Sequence, residues 1–154
     1  MKELNVNLVD LYKEVDRFIK DAYASEEGVK EYLSLMKTSE AKGRRFVSGW
    51  DFDYKELGHI RWIRNQLSHN VPYDSDISEE SDYDWLAGFR ARLYSSSDPL
   101  AMLKKAEDKE KQRRRTAGRT NAGKTVYYPY VPTNVGVPEK KTFWQKVKEF
   151  FTGK

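Results

Sequence analysis

Along residues 6–20, "VNLVDLYKEVDRFIK", the apolar positions Val6, Leu8, Val9, Leu11, Tyr12, Val15, Phe18 and Ile19 fall at helical spacing. This predicts an amphipathic helix with one buried face. Ser25 reads as the cap of a second helix, with Glu26 and Glu27 in its first turn, where carboxylates suit the helix dipole. Its apolar face is Val29, Tyr32, Leu33 and Met36, and a shorter helix is predicted near "EAKGRRFVSGW".

Asp53 and Glu56 have the D-x-x-E spacing of a capping box, and from there "YKELGHIRWIRNQLSH" reads as a helix. Asn70, as a left-handed C′ residue, and Pro72, as a breaker, end it. An acidic loop, "PYDSDISEES", leads to "DYDWLAGFRARLY", whose predicted apolar side is Tyr83, Leu86, Phe89, Leu93 and Tyr94. Asp98-Pro99 then has the form of an N-cap followed by proline at the first helical position. The helix it opens, "LAMLKKAEDKEKQRRR", has no apolar face after Leu103, so its second half is expected to stand in solvent.

Past Arg115 the period is lost. "TAGRTNAGKTVYYPYVPTNVGVPEKK" reads as linker, and helical spacing returns in "TFWQKVKEFF", where Phe143, Trp144, Val147, Phe150 and Phe151 form one stripe. No strand pattern is convincing, because Pro129 interrupts the one β-like run, "TVYYPYV". The expected fold is an all-α bundle of about five helices with a basic C-terminal extension ending in a short amphipathic helix. The expected boundaries are 1–112 for the helical domain, 113–140 for a basic flexible linker and 141–154 for the terminal helix.

Composition narrows the chemistry. The 154 residues suit one domain with a tail, and an aromatic share of 14% compensates for a lean 38% of hydrophobic residues. The absence of cysteine excludes disulfides, thiol catalysis and thiolate metal sites. The charged start is no signal peptide and no apolar run reaches the roughly 20 residues of a membrane span, so a soluble cytoplasmic protein is expected. The net charge of +4 is unevenly divided. Residues 1–100 carry 14 Lys and Arg against 19 Asp and Glu, whereas residues 101–154 carry 14 against 5. An acidic domain therefore precedes a basic arm of the kind that meets polyanions.

"GRTNAGKT", Gly118 to Thr125, spells the phosphate-binding pattern G-x-x-x-x-G-K-[ST]. The pattern works between a buried strand and a helix. "KEKQRRRTA" is no buried strand and "VYYPYVP" is no helix, so the nucleotide-triphosphatase reading is rejected.

The Asp53–His69 helix is more informative. At ~100° per residue, Leu57, Ile60, Ile63 and Leu67 share one arc, the core face. Tyr54, Gly58, Trp62, Asn65 and His69 share a second arc, and Arg64 lies at the edge of the first. A solvated face would carry Lys and Glu; this one suits contact with another surface. RNA supplies its own nucleophile, the 2′-hydroxyl. A metal-free ribonuclease then needs a proton carrier, which His69 offers, and a fixed cation for the phosphorane charge, which Arg64 offers. Asn65 is placed to orient the imidazole or to meet the phosphate. One chain has one such histidine, and a symmetric dimer brings two sets together. An Arg and a His five apart are a weak signal alone. The competing reading makes His69 a C-terminal dipole partner and Arg64 a surface ion-pair residue.

"RNQLSH" (Arg64, Asn65, His69) resembles the R-x4-6-H motif of HEPN domains, in the form with Asn directly after Arg. The helical context agrees, and "DYDWLAGFRARLYSSSDPLAMLKK" resembles the closing helices of small bacterial HEPN-like proteins. The resemblance covers about residues 1–110. It implies a helical bundle that dimerises through its motif helices, needs no cofactor or metal, and cleaves RNA as a toxin or phage-defence enzyme, in some cases under an antitoxin. Arg64 and His69 would be catalytic and Asn65 supporting. It equally allows a catalytically silent module that binds RNA or a protein partner. His59 matches nothing in the motif and reads as a partly exposed helix histidine. In the tail, Lys111, Arg113, Arg114 and Arg115 are candidate RNA contacts. The stripe from Phe143 to Phe151 is a candidate contact for a protein partner. A membrane surface is the weaker alternative, because one short amphipathic helix binds membranes weakly.

Overall fold

The computed structural model describes residues 2–120, with side chains described to Gly118. Six helices follow one another: α1 (Lys2–Tyr23), α2 (Val29–Thr38), α3 (Glu40–Phe46), α4 (Trp50–His69), α5 (Glu80–Tyr94) and α6 (Pro99–Thr120). No strand occurs among the described residues, and the all-α expectation is met. Gly118 to Thr120, the first letters of the rejected phosphate-loop pattern, continue α6. The stripe from Phe143 to Phe151 lies outside the described residues.

Most of the predicted stripe of α1 is buried: Leu8, Val9, Leu11, Tyr12, Val15 and Ile19 face inward and Asn5 joins them, whereas Phe18 is half-buried and Val6 is exposed. α1 packs on α2, α4 and α5. The turn into α2 departs from the predicted cap. Ser25 Oγ accepts a hydrogen bond from the Glu27 N–H at 3.1 Å, but the helix begins only at Val29. Its cap comes from α1, where Asp16 Oδ1 accepts from the Val29 N–H at 2.9 Å. Gly28 has φ 52°, and a Cβ there would collide with the Asp16 carboxylate, so both geometry and space require glycine.

α4 touches α1, α2, α3 and α5, and its core stripe of Leu57, Ile60, Ile63 and Leu67 is fully buried or nearly so. It starts at Trp50, after Gly49 in the left-handed conformation, one turn before the predicted capping box. Asp53 is therefore not a cap. It is buried and accepts two hydrogen bonds of 2.8 Å from Arg92 of α5. Such a fork-to-carboxylate pair is the strong form of ion pair. The capping box found in the structure lies at α5, between Glu79 and Asp82.

In α5, Leu86, Phe89 and Leu93 are buried as predicted, while Tyr94 is 58% exposed and meets Phe18 edge-on at 4.9 Å. The Asp98-Pro99 start of α6 is as predicted, with one addition. Asp98 is fully buried, and its Oδ2 accepts from the Tyr32 hydroxyl of α2 at 2.5 Å. The Leu100 N–H donates to the same tyrosine oxygen at 3.3 Å. Only the first part of α6 is in the core; beyond Glu107 its residues are exposed or half-buried, and the helix runs past Arg115 to Thr120.

Two outcomes follow from these buried polar groups. Arg92→Ala strands the Asp53 carboxylate in the core and is expected to cost roughly 3–5 kcal/mol in urea unfolding. Desolvation pushes the Asp98 carboxyl up to about 6, against the hydrogen bond from Tyr32, which pulls it down. An unfolded aspartate titrates near 3.9, so between these values the native state holds the extra proton. The stability contributed by the neutral carboxyl is complete below about pH 4 and lost as pH rises through about 6. Relative to Asp98→Asn, which cancels the other carboxylates, wild-type stability should fall by on the order of 2–3 kcal/mol from pH 4 to 6.5.

Candidate active site on helix α4

Because Asp53 and the core stripe set the rotation of α4, the opposite face turns outward. Trp62 is 51% exposed, and a Cβ built on Gly58 would meet nothing within 4 Å. Asn65 is half-buried and His69, the last helical residue, is exposed. Of the predicted second arc, Trp62 and His69 are exposed, Gly58 and Asn65 are half-buried, and Tyr54 packs against the core.

Arg64 sits where the wheel puts it, at the flank. It is half-buried, with its guanidinium carbon 5.6 Å from the centre of the Tyr12 ring. Its Nη1 donates to Asn65 Oδ1 at 3.1 Å. Asn65 therefore orients the arginine, not the imidazole. Beneath this pair, burial and then the Asp16 carboxylate push the Tyr12 hydroxyl up to about 12, while Arg64 and Arg61 pull it partway back. Tyr12 is a neutral phenol at any physiological pH, and it offers Arg64 a flat apolar seat. Its place in the apolar stripe of α1 gave no sign of this role.

The His69 imidazole forms no hydrogen bond or ion pair among the described residues, and none joins it to Arg64. Within one chain the two candidate catalytic groups stand on different arcs. The helix end beside His69 is well made. The N–H groups of Asn70 and Val71 both donate to Gln66 O, at 2.8 and 3.0 Å, and Asn70 Nδ2 donates to Gln66 Oε1 at 3.2 Å. Asn70 has φ −121°, not the left-handed value predicted for it. Two amides close on the Gln66 carbonyl without a left-handed residue.

His59 has a clearer setting than its sequence suggested. Its ring stacks on Trp62 with centres 6.0 Å apart, and its Nε2 lies 3.5 Å from Asp82 Oδ1, the capping residue of α5. It links α4 to α5 on the exposed side.

The candidate RNA contacts on α6 lie elsewhere. Lys111 and Arg114 line a groove of about 410 Å³ between α3 and α6, opposite Lys42, Arg45 and Phe46. Arg113 and Arg114 both reach Glu110, whose carboxyl is lowered first by its hydrogen bond from Arg114, and Arg115 is exposed. Lys42 and Arg45 belong to this basic groove and were missed because α3 is too short to show a charged face in the sequence. The groove is lined by residues of α3 and α6 alone, none of them from α4.

Among the described residues no group of three or more His, Asp and Glu side chains is placed to hold a metal ion, and no helix is long and apolar enough to cross a membrane. The open setting of Gly58 makes one simple expectation: Gly58→Ala removes a mid-helix glycine without a clash and raises the unfolding free energy of the single chain by about 0.5–1 kcal/mol. Urea titration at low protein concentration measures it.

Compared with known proteins, the chain matches the model of a family of unknown function, DUF6548, over residues 6–149. No curated protein and no solved structure matches it. The family match takes in α1 from Val6 onward, all of α2 to α6, the Arg64–His69 segment and most of the basic extension, and on that span the chain belongs to the DUF6548 family.

Proposed function

We propose that this protein is a metal-independent endoribonuclease of HEPN type, working as a homodimer in a toxin or phage-defence role. One observation carries the reading: the Arg64-Asn65-x-x-x-His69 segment ends the central helix of an all-α bundle, on the side of Trp62 and His69, which no other described residue buries. A bulky aromatic, a glycine open to close approach and an unengaged imidazole on one face suit a second copy of the same helix better than water.

In the proposed dimer the RNA 2′-oxygen attacks the adjacent phosphorus and the bond to the 5′-oxygen breaks. One His69 takes the 2′-proton, and the His69 of the other copy, protonated, gives a proton to the departing 5′-oxygen. Arg64, held in orientation by Asn65 and seated on Tyr12, is positioned to neutralise the charge on the phosphoryl oxygens. The products are a 2′,3′-cyclic phosphate and a 5′-hydroxyl.

A second reading, a silent module that binds RNA or a protein partner, draws on one observation: Arg64 already has partners in Tyr12 and Asn65 and none in His69. One experiment separates the two. Purified full-length protein is incubated with RNA in EDTA, and the ends are analysed. The expected result is cleavage to 2′,3′-cyclic phosphate ends. His69→Ala should lower the rate by about 10²-fold or more, and Arg64→Lys, which keeps charge but loses the planar fork, by about 10-fold or more. Sedimentation should show a dimer that Gly58→Trp weakens. Intact RNA under all conditions, or cleavage unchanged by His69→Ala, removes the enzyme reading and leaves the silent module.

A further inference from the structure

Between His69 and α5 the chain passes through residues 70–79, an irregular strap with the acidic residues Asp74, Asp76 and Glu79. One side chain of α1 reaches across the fold to hold it. Asn5 is 1% exposed and uses its whole amide on the strap. Its Nδ2 donates to Tyr73 O at 2.6 Å and to Ser75 O at 2.7 Å, and its Oδ1 accepts from the Ser78 hydroxyl. Both amide hydrogens are used, and the acceptor is engaged.

From this clamp, further contacts run back along the strap to the last turn of α4, the turn that carries His69. Ser75 donates twice to Pro72 O, from its N–H at 3.1 Å and its hydroxyl at 2.6 Å. Val71 packs on the core and, with Asn70, closes on Gln66 O. Ile77, between the Ser75 and Ser78 contacts, adds an apolar anchor. The last turn of α4 is therefore fixed from two directions, by its own helix and by a strap tied to α1.

We propose that Asn5 is a positioning residue for His69: by holding the strap it sets where the end of α4, and with it the imidazole, stands relative to the Arg64–Asn65 pair. The catalytic part of this inference rests on the ribonuclease reading above; the positional part does not. The chemistry is narrow. Aspartate has the shape of Asn5 but neither donor, alanine has no reach, and glutamine carries the amide one methylene too far.

The test uses the full chain with Asn5→Ala, Asn5→Asp and Ser78→Ala. Ser78→Ala leaves both carbonyl bonds in place, and so stays informative if the larger changes fail to fold. Hydrogen exchange should quicken roughly tenfold or more at the Asn70, Val71 and Ser75 amides in the Asn5 variants, with Ser78→Ala intermediate and the α2 and α4 interiors unchanged. The His69 ring signals in NMR should shift or broaden in the same order. In the RNA assay, turnover should fall about 10–100-fold in Asn5→Asp with KM within about twofold, as expected for a displaced group in folded enzyme. Exchange and His69 signals like those of wild type overturn the proposal. So does a loss of turnover that only tracks the folded fraction. If wild type does not cleave RNA, the ribonuclease reading falls, and exchange with the His69 signals decides the positional claim alone.

Discussion

The paired hydrogen bonds between Asp53 and Arg92 set the rotation of the central helix, and the rest of the architecture follows from that rotation. A carboxylate this deeply buried is tolerated only with a geometrically matched cation, and Arg92 supplies one while its guanidinium also lies over Phe89 and near Trp85. Turning α4 about its axis would break both bonds at once. With Asp53 held, Leu57, Ile60, Ile63 and Leu67 must face inward, and Trp62, Asn65 and His69 must face out. The exposed face is a consequence of a buried ion pair, not of the exposed residues themselves.

A second buried polar contact does similar work at the other end of the chain. Tyr32 and Asp98 join α2 to the start of α6, and edge-on packing of Tyr32 against Tyr23 and Phe89 surrounds the contact with aromatic rings. Asp98 Oδ1 has no hydrogen-bond partner among the described residues, which is consistent with a carboxyl that burial pushes toward its neutral form. The fold thus uses two carboxylates in opposite ways. One is paired with an arginine, and the other is pushed toward neutrality by burial, which outweighs the Tyr32 hydrogen bond and the Arg92 charge.

How much of this was legible in the chain depends on the type of contact. Apolar periodicity marked α1, α4 and α5 and the residues they bury, because burial of a helix face is a local pattern. The Asp98-Pro99 start was legible for the same reason: a cap is made within one turn. Asp53 was misread because D-x-x-E has the same spacing whether the aspartate caps its own helix or pairs with a residue 39 positions away. Ser25 was misread for a related reason, since the cap of α2 comes from Asp16, on another helix. For the site, the motif and its face were visible, as was the flanking place of Arg64. The Tyr12 seat, the Asn65–Arg64 bond and the Asn5 clamp were not, because each joins residues that only the fold brings together. Asn5 did leave a trace: it is a polar residue in the apolar register of α1.

The burial pattern of α6 has a consequence for synthesis. Among the described residues, Leu103 is the last hydrophobic residue of the core and Glu107 the last buried one. Chains fold from the N-terminal side as they are produced. The core that the described residues build is therefore complete once Glu107 has been made, and the exposed turns of α6 up to Gly118 are added to a finished bundle.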